Sequence, residues 1–388
     1  MKKNVVFRSI VCSLTCLSAY AFAESTTLRI PNQMTFSRPA SLGGAFTAVA
    51  DDQNALFFNP AGLALIDETF MAIGDIEASA SLGTGGIGAL IDDVSKAVDL
   101  AKGVQSAKSD SAKIDSAVDF GKLLSSRTVY ANASWGLYLA RNRWGLALTA
   151  RTGAGAGIHS NVLPELADAG LYADFDLRGA YAHPFLDGRV SLGIAPYLRT
   201  RAQAGAANLT ISDVVDDGST FKDPKVGNGL GLDFGLMVRP FKTMSPTFGL
   251  AVVNVGDTHL KVSEDSFLAQ AAAFEGKKIA SPEALKQVVN AGFSITPIDG
   301  RGFVRVSGEL REINRPTPAE LKPAGAVEAG FRSSIVRATA ALGWGNGGWS
   351  AGFEARAFLK LRLATYIEPD LLFARKENQR VWVFSVGI

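Results

Sequence analysis

Side chains able to do chemistry are few in this chain, and their spacing fits little of it. Its three histidines, His159, His183 and His259, match no metal-ligand spacing and stand in no Ser-His-Asp arrangement, so no catalysis is expected. The segment Gly83-Thr-Gly85-Gly-Ile-Gly88 fits G-x-G-x-x-G, but the strand before it alternates and no parallel βαβ unit follows, so it reads as small residues at a strand exit. Gly153-Ala-Gly155-Ala-Gly157 reads as a flexible loop rather than a phosphate cradle. More informative is the stretch from Arg38 to Leu65. It is rich in Gly and Ala, holds Gly43, Gly44 and the acidic pair Asp51–Asp52, and closes on Phe57-Phe58-Asn59-Pro60-Ala61-Gly62. Proline fixes φ and removes a donor, and asparagine bonds nearby backbone, so Asn59-Pro60 is a rigid corner.

The address is legible at the N-terminus. Lys2, Lys3 and Arg8 precede an apolar run to about Ala19, and Ala21-Phe22-Ala23 is a small-x-small cleavage site. Residues 1–23 therefore read as a cleaved signal peptide, too short in its apolar run to span a bilayer. Its removal changes the formal charge from +2 to −1 by taking away those three cations, and nothing points to nucleic acid. Cys12 and Cys16 leave with it. Ser-Leu-Thr before Cys16 is a poor lipoprotein box, so the mature chain is expected to lack disulfides, thiol chemistry and Cys metal sites.

Beyond the signal no run of about 18 apolar residues occurs, which excludes helical spans. Segments of about ten residues alternate instead, as tilted transmembrane strands must. In Thr128–Leu139, Val129, Ala131, Ala133, Trp135, Leu137 and Leu139 share one face, opposite Thr128, Tyr130, Asn132, Ser134 and Tyr138. The pattern recurs from Leu171, Val190 and Leu230, and about 14 such segments fit between Thr69 and Ile388. Connections after odd-numbered strands are mostly long, about 83–127, 154–170, 204–228, 257–288, 313–324 and 368–379. Those after even-numbered strands are short: 141–143, 185–188, 241–246, 298–301, 332–334 and about 358. Outer-membrane barrels put long loops outside and short turns in the periplasm; a soluble sandwich has no reason to sort its loops by parity.

These features predict an all-β fold: a transmembrane antiparallel β-barrel of about 14 strands over 66–388, with 24–65 as an N-terminal plug. Two long connections are expected to be partly helical. Ile91–Leu124 carries Ile91, Val94, Val98, Ile114 and Val118 at helical spacing, and Ser281-Pro282-Glu283 reads as a cap before a helix over Ala284–Val289. They are either solvated loops or the walls of a groove for a greasy ligand.

Charges on the alternating segments assign the lumen. Asp174, Asp176, Arg178, Arg199, Asp233, Arg239 and Arg362 are expected to line it, with Glu328, Glu354, Arg356 and Lys360, because Arg or Lys facing lipid at the midplane costs about 2–4 kcal/mol. A plug inside this lumen would need partners for Asp51 and Asp52 among Arg178, Arg199, Arg239, Arg305 and Arg362, since buried charge is tolerated only when paired. The acidic pair is then a latch or helix cap, or alternatively part of a gate. Trp135, Trp144, Trp344, Trp349 and Trp382 suit interfacial girdles.

The GGA…ADD…NPAGLA pattern at Gly43–Ala45, Ala50–Asp52 and Asn59–Ala64 resembles the N-terminal segment of the FadL-type outer-membrane transport family, and extends to PorV-like relatives associated with secretion. The resemblance covers this one segment. It implies a hatch made of Gly43, Gly44, Asp51, Asp52, Phe58, Asn59, Pro60, Ala61 and Gly62, in a passive outer-membrane transporter of hydrophobic compounds such as long-chain fatty acids. No cofactor is implied. The alternative, which shares the same pattern, is a PorV-like or conjugation-associated barrel that docks a secreted or periplasmic protein. The last segment, with Trp382, Phe384, Val386 and Ile388 on one face, looks like a final strand read by the barrel-assembly machinery. Other expected partners are a hydrophobic small molecule or lipid and the outer-membrane lipids.

Overall fold

A computed structural model describes residues 36–66, 70–82, 95–96, 99, 128–141, 143–158, 167–209, 224–271, 278–314, 322–333, 335–369 and 378–387. The proposed signal peptide, both cysteines, residues 83–88 and His159 lie outside them, as does most of the helix expected over 91–124, of which residues 95, 96 and 99 are helical.

Among the described residues fifteen strands follow one another. They are β1 (Phe70–Leu82), β2 (Thr128–Arg141), β3 (Trp144–Ile158), β4 (Ala167–Phe185) and β5 (Val190–Leu209). Next come β6 (Lys225–Val238), β7 (Thr247–Val253), the two-residue β8 (Lys261–Val262), β9 (Val288–Ile298) and β10 (Gly302–Arg311). The series ends with β11 (Lys322–Arg332), β12 (Arg337–Gly345), β13 (Gly348–Arg356), β14 (Lys360–Pro369) and β15 (Asn378–Gly387). Neighbours pair antiparallel around a ring: β1 to β7 in chain order, β7 with β9, and onward to β15, which pairs back with β1 from Ile76↔Val386 to Ser81↔Val381. The appendage β8 pairs only with β6, so fourteen strands form a closed barrel with no free edge.

Side-chain alternation explains why the chain closes this way. On β4, Leu171, Ala173, Phe175 and Leu177 face out, while Tyr172, Asp174, Asp176 and Arg178 are buried inside. Leu192, Ile194 and Leu198 on β5 and Leu230 and Phe234 on β6 continue the apolar outer belt. A one-residue slip of β4 would turn Asp174, Asp176 and Arg178 to the outside, and one of β5 would do the same to Arg199 and Arg201, so the register is strongly specified.

Two local expectations need correction. Residues 153–157 are part of β3, paired with both β2 and β4, rather than a loop. Gly153 is needed there because the Tyr172 ring lies across it: a Cβ would sit 2.5 Å from that ring. Secondly, residues 284–287 form no helix. Leu285 exchanges backbone hydrogen bonds with Thr258 (2.8 and 2.9 Å), and β9 starts at Val288, so tertiary pairing overrides the Ser-Pro-Glu signal. Among the described residues of that connection the helix is Phe267–Ala271, packed on outward-facing Ala202, Ala204 and Val226. The β12–β13 connection, also on the long-loop side, is a short exception within that mostly long set and spans only Asn346 and Gly347. Their φ of 52° and 76° are what a two-residue type I′ hairpin requires.

Candidate functional site: a buried latch inside the barrel

Residues 36–66 occupy the inside of the ring and touch it on all sides. The segment comprises α1 (Ser37–Ser41), α2 (Ala55–Phe58) and a 3₁₀ turn (Pro60–Leu65). These pieces are too short to stand alone in water. They hold together because Phe36, Phe46, Phe57 and Phe58 pack with Leu42, Leu56 and Leu63 into a small core, with Phe46 and Phe58 edge to face at 5.2 Å. Tyr138 of β2 joins it, 6.2 Å from the Phe57 ring.

Backbone contacts set the height of the segment. Gly43 and Gly44 (φ +61° and +89°) turn the chain after α1, and a Cβ on Gly43 would stand 2.7 Å from the Trp344 carbonyl of β12. The Asn59 side chain donates to the Thr47 and Leu236 carbonyls (2.8 and 3.2 Å) and accepts from Ala61 N–H (3.2 Å). Asn59 thus ties two parts of the segment to β6, as its corner role requires. Gly193 of β5 and Gly235 of β6 leave the space for this corner; a Cβ on either would lie 2.2 Å from Ala61 N or 2.0 Å from Asn59 Oδ1. Gly62 packs on Ala50, within 1.8 Å of its carbonyl oxygen for any added Cβ.

Charge fixes the opposite side. Arg38 is buried and donates to both oxygens of Glu328 on β11 (2.9 and 3.0 Å) and to Asp51 and Asp52 (2.7 and 2.9 Å). Arg305 of β10 completes Asp51 at 2.8 Å, and Arg362 of β14 stands 4.0 Å from Asp52. Burial by itself would push the Asp51 carboxyl up, but the Arg305 and Arg38 guanidiniums outweigh it and hold the group well below the usual carboxylate range. Burial likewise works against the Arg38 charge, and Asp51, Glu328 and Asp52 more than offset it.

A group with a depressed folded-state pKa stabilises fully above its unfolded value, near 3.9 for Asp, and loses that contribution as pH falls through the lower folded value. The stability difference between the wild type and Asp51→Asn, read by limited proteolysis of the segment, is therefore expected to stay constant from pH 8 to about 5. It should shrink only in stronger acid. A difference that vanishes near pH 6 would contradict this assignment.

The structure separates the expected cations into two sets. Arg305 and Arg362 reach the acidic pair; Arg178 and Arg199 do not. Arg178 pairs with Asp233 and Asp176, donates to the Leu56 carbonyl (3.0 Å) and lies over the Phe57 ring. Arg199 pairs with Asp176, and Asp174 joins Arg151 to Arg201. These residues and Arg362 are buried on the inner face, whereas Arg239 is half-buried just past the end of β6.

Arg38 and Glu309 were not singled out by the sequence. Glu309 of β10 accepts from Phe46 N–H, Thr47 N–H and the Thr47 hydroxyl at 2.6–2.8 Å, and Glu77 of β1 accepts from Ser37 N–H at 3.0 Å. Glu309 had a usable signal, since it shares the parity of Ser307 and Arg311 against Val306 and Leu310. Arg38 had none, being a lone cation in a segment without periodicity. His183 and His259 are exposed, and among the described residues no group of three or more His, Cys, Asp and Glu is placed to hold a metal.

No protein-family model matches the chain, and no curated protein matches its sequence. Solved structures match its fold. A TodX deltaS2S3 mutant, a monoaromatic hydrocarbon channel, is 8% identical, with a TM-score of 0.51, over 92% of this chain and 98% of its own. A FadL homologue from Pseudomonas aeruginosa is 10% identical, with a TM-score of 0.50, over 93% of this chain and 98% of its own. Likeness of fold to these two proteins thus extends over nearly the whole chain, well beyond the N-terminal pattern.

Proposed function

We propose that this protein is a FadL-type passive channel of the bacterial outer membrane, exported with a cleaved signal peptide, that admits hydrophobic compounds and uses residues 36–66 as a hatch. The observation that carries the reading is the way this segment is held. It is seated inside a closed barrel by hydrogen bonds, ion pairs and close backbone packing, all of them reversible. An apolar outer belt and a charged, mixed-sign inner wall fit a bilayer-spanning channel. Many charges of the described inner wall are ion-paired with one another or with the segment, which suits uncharged or amphipathic cargo better than an ion current. Long-chain fatty acids are the first cargo to test, with a monoaromatic hydrocarbon beside them because one matched structure is such a channel. No energy coupling is needed, since burial of apolar surface provides entry and dilution provides exit.

The test is uptake of a fluorescent long-chain fatty acid and of radiolabelled toluene into liposomes carrying the refolded protein. Flux above that of empty liposomes, increased when 24–65 is deleted, is the expected result. If a correctly folded barrel passes neither compound with or without the segment, the transport reading fails. A docking role for a secreted or periplasmic protein would then take its place.

A further inference from the structure

The short-turn end of the barrel has a chemistry of its own. Four of its turns carry a large apolar residue at the tip, and each is strongly exposed: Leu186 (71%), Phe241 (69%), Ile335 (78%) and Phe358 (93%). Such tips are usually polar, because turns favour Gly, Asn, Asp and Ser. Leu186 even holds φ +51°, left-handed backbone that costs a branched apolar residue of order 1 kcal/mol and that Asn or Gly would adopt at rest. Exposure and strain at the same residue argue for a use at that position.

Charge at this end is one-sided. Within the described short connections the charged residues are Arg143, Arg189, Arg239, Lys242 and Arg301 against Asp187 and Asp299, five cations to two acids. Arg141, Arg332, Arg337 and Arg356 add to the same sign at the adjoining strand ends. The described part of the long connection 254–287 is mixed instead, with Asp257, Glu264, Asp265 and Glu283 against Lys261, Lys278 and Lys286. Among the described residues the cationic excess therefore marks this end and not that long connection.

Position identifies what the rim meets. Leu186 directly follows the outward-facing Phe185, Ile335 lies four residues beyond Phe331, and Phe358 lies three before Leu361, all of them exposed on the belt. At about 3.3 Å per residue the tips stay within roughly 15 Å of the apolar belt. That is interfacial depth, where apolar side chains enter the acyl boundary and cations meet phosphates. A soluble acidic protein would need the tips to project clear of the bilayer.

We propose that the short-turn rim is a binding surface for anionic phospholipid headgroups in the adjoining leaflet. Arg189, Lys242 and Arg301 neutralise the phosphates, while Leu186, Phe241, Ile335 and Phe358 insert beside the acyl chains. The surface rests on the bilayer-spanning part of the reading above and is independent of what the channel carries. It fixes the depth and tilt of the barrel, as interfacial anchors do.

The test uses the full-length refolded barrel in mild detergent, its folding checked by circular dichroism and heat-dependent gel mobility. Phosphatidylglycerol and phosphatidylcholine are offered in competition, and the lipid retained is read by native mass spectrometry at low and high salt. Phosphatidylglycerol is expected to be retained preferentially, with the preference falling in high salt. Arg189→Gln/Lys242→Gln/Arg301→Gln should reduce it about a hundredfold, on the basis of about fivefold per cation. Leu186→Ser/Phe241→Ser/Phe358→Ser should weaken retention of both lipids while the preference persists. Equal retention of the two lipids by the wild type would overturn the proposal, as would an unchanged preference in the triple glutamine variant. Tighter binding of polyglutamate than of phosphatidylglycerol would overturn it in favour of an acidic protein partner. A chain that is no membrane barrel would instead fail the mobility check, and flux has no part in the readout.

Discussion

Replacing Arg38 by methionine is expected to unseat the N-terminal segment while the barrel persists. Met keeps much of the stem's volume but removes the charge shared by Glu328, Asp51 and Asp52. Removing one partner from a buried ion network costs about 3–5 kcal/mol, because the remaining charges stay desolvated. Here Glu328 would be left with Arg305 alone, at 3.4 Å. Cleavage of 36–66 by added protease should accelerate, and fatty-acid flux through liposomes should rise. Heat-dependent gel mobility should not change, since the strand ladders do not involve Arg38. Neutralising Asp51, Asp52 and Glu328 to Asn, Asn and Gln together with Arg38→Met should restore much of the protection. If Arg38→Met alone leaves protease sensitivity and flux at wild-type levels, the charge latch does not hold the segment.

Gly193→Val and Gly235→Val should give a similar outcome by a route independent of charge. Their Cβ atoms would fall 2.2 Å from Ala61 N and 2.0 Å from Asn59 Oδ1, far inside van der Waals contact. The wall cannot retreat, because Gly193 is paired with Ala182 on one side and Gly235 on the other. The corner at Asn59-Pro60 must move, which breaks the Asn59 bonds to Thr47 and Leu236. Overpacking typically costs about 1–3 kcal/mol and here falls on the segment rather than the strands. Gly179→Ala is the control, since its nearest contact is Leu146 on the outer face at 3.7 Å. Equal flux and equal protease protection in Gly193→Val, Gly235→Val and the control would remove the corner from the mechanism.

What could be read in advance divides along physical lines. Alternation made the barrel and its inner face legible, because Asp174, Asp176 and Arg178 in one strand cannot face lipid, and a period of two leaves only one other side. Asp51 visibly needed a cation, yet choosing Arg305 over Arg178 required knowing how the segment is rotated inside the ring. That rotation is set by Gly193, Gly235 and Gly343, whose meaning lies in the backbone packed on them rather than in any side chain. Gly153 is of the same kind, since nothing local announces that Tyr172 of the next strand covers it. The helix over 284–289 failed because a long-range bridge at Leu285 outweighed a local cap.

The seam between β1 and β15 joins the first-made strand to the last. Until that seam zips, the ring is open and every pairing but one is already available. The N-terminal segment runs directly into β1, with three residues between Ile66 and Phe70, so it stays near the opening throughout. Its partners at Glu309, Glu328, Ser350 and Arg362 are among the latest residues to be made. An early portion of the chain therefore waits for a late one, and closing the cylinder is also the event that encloses its contents. Folding of this kind is slow, because loop-closure entropy is paid before the distant contacts return it.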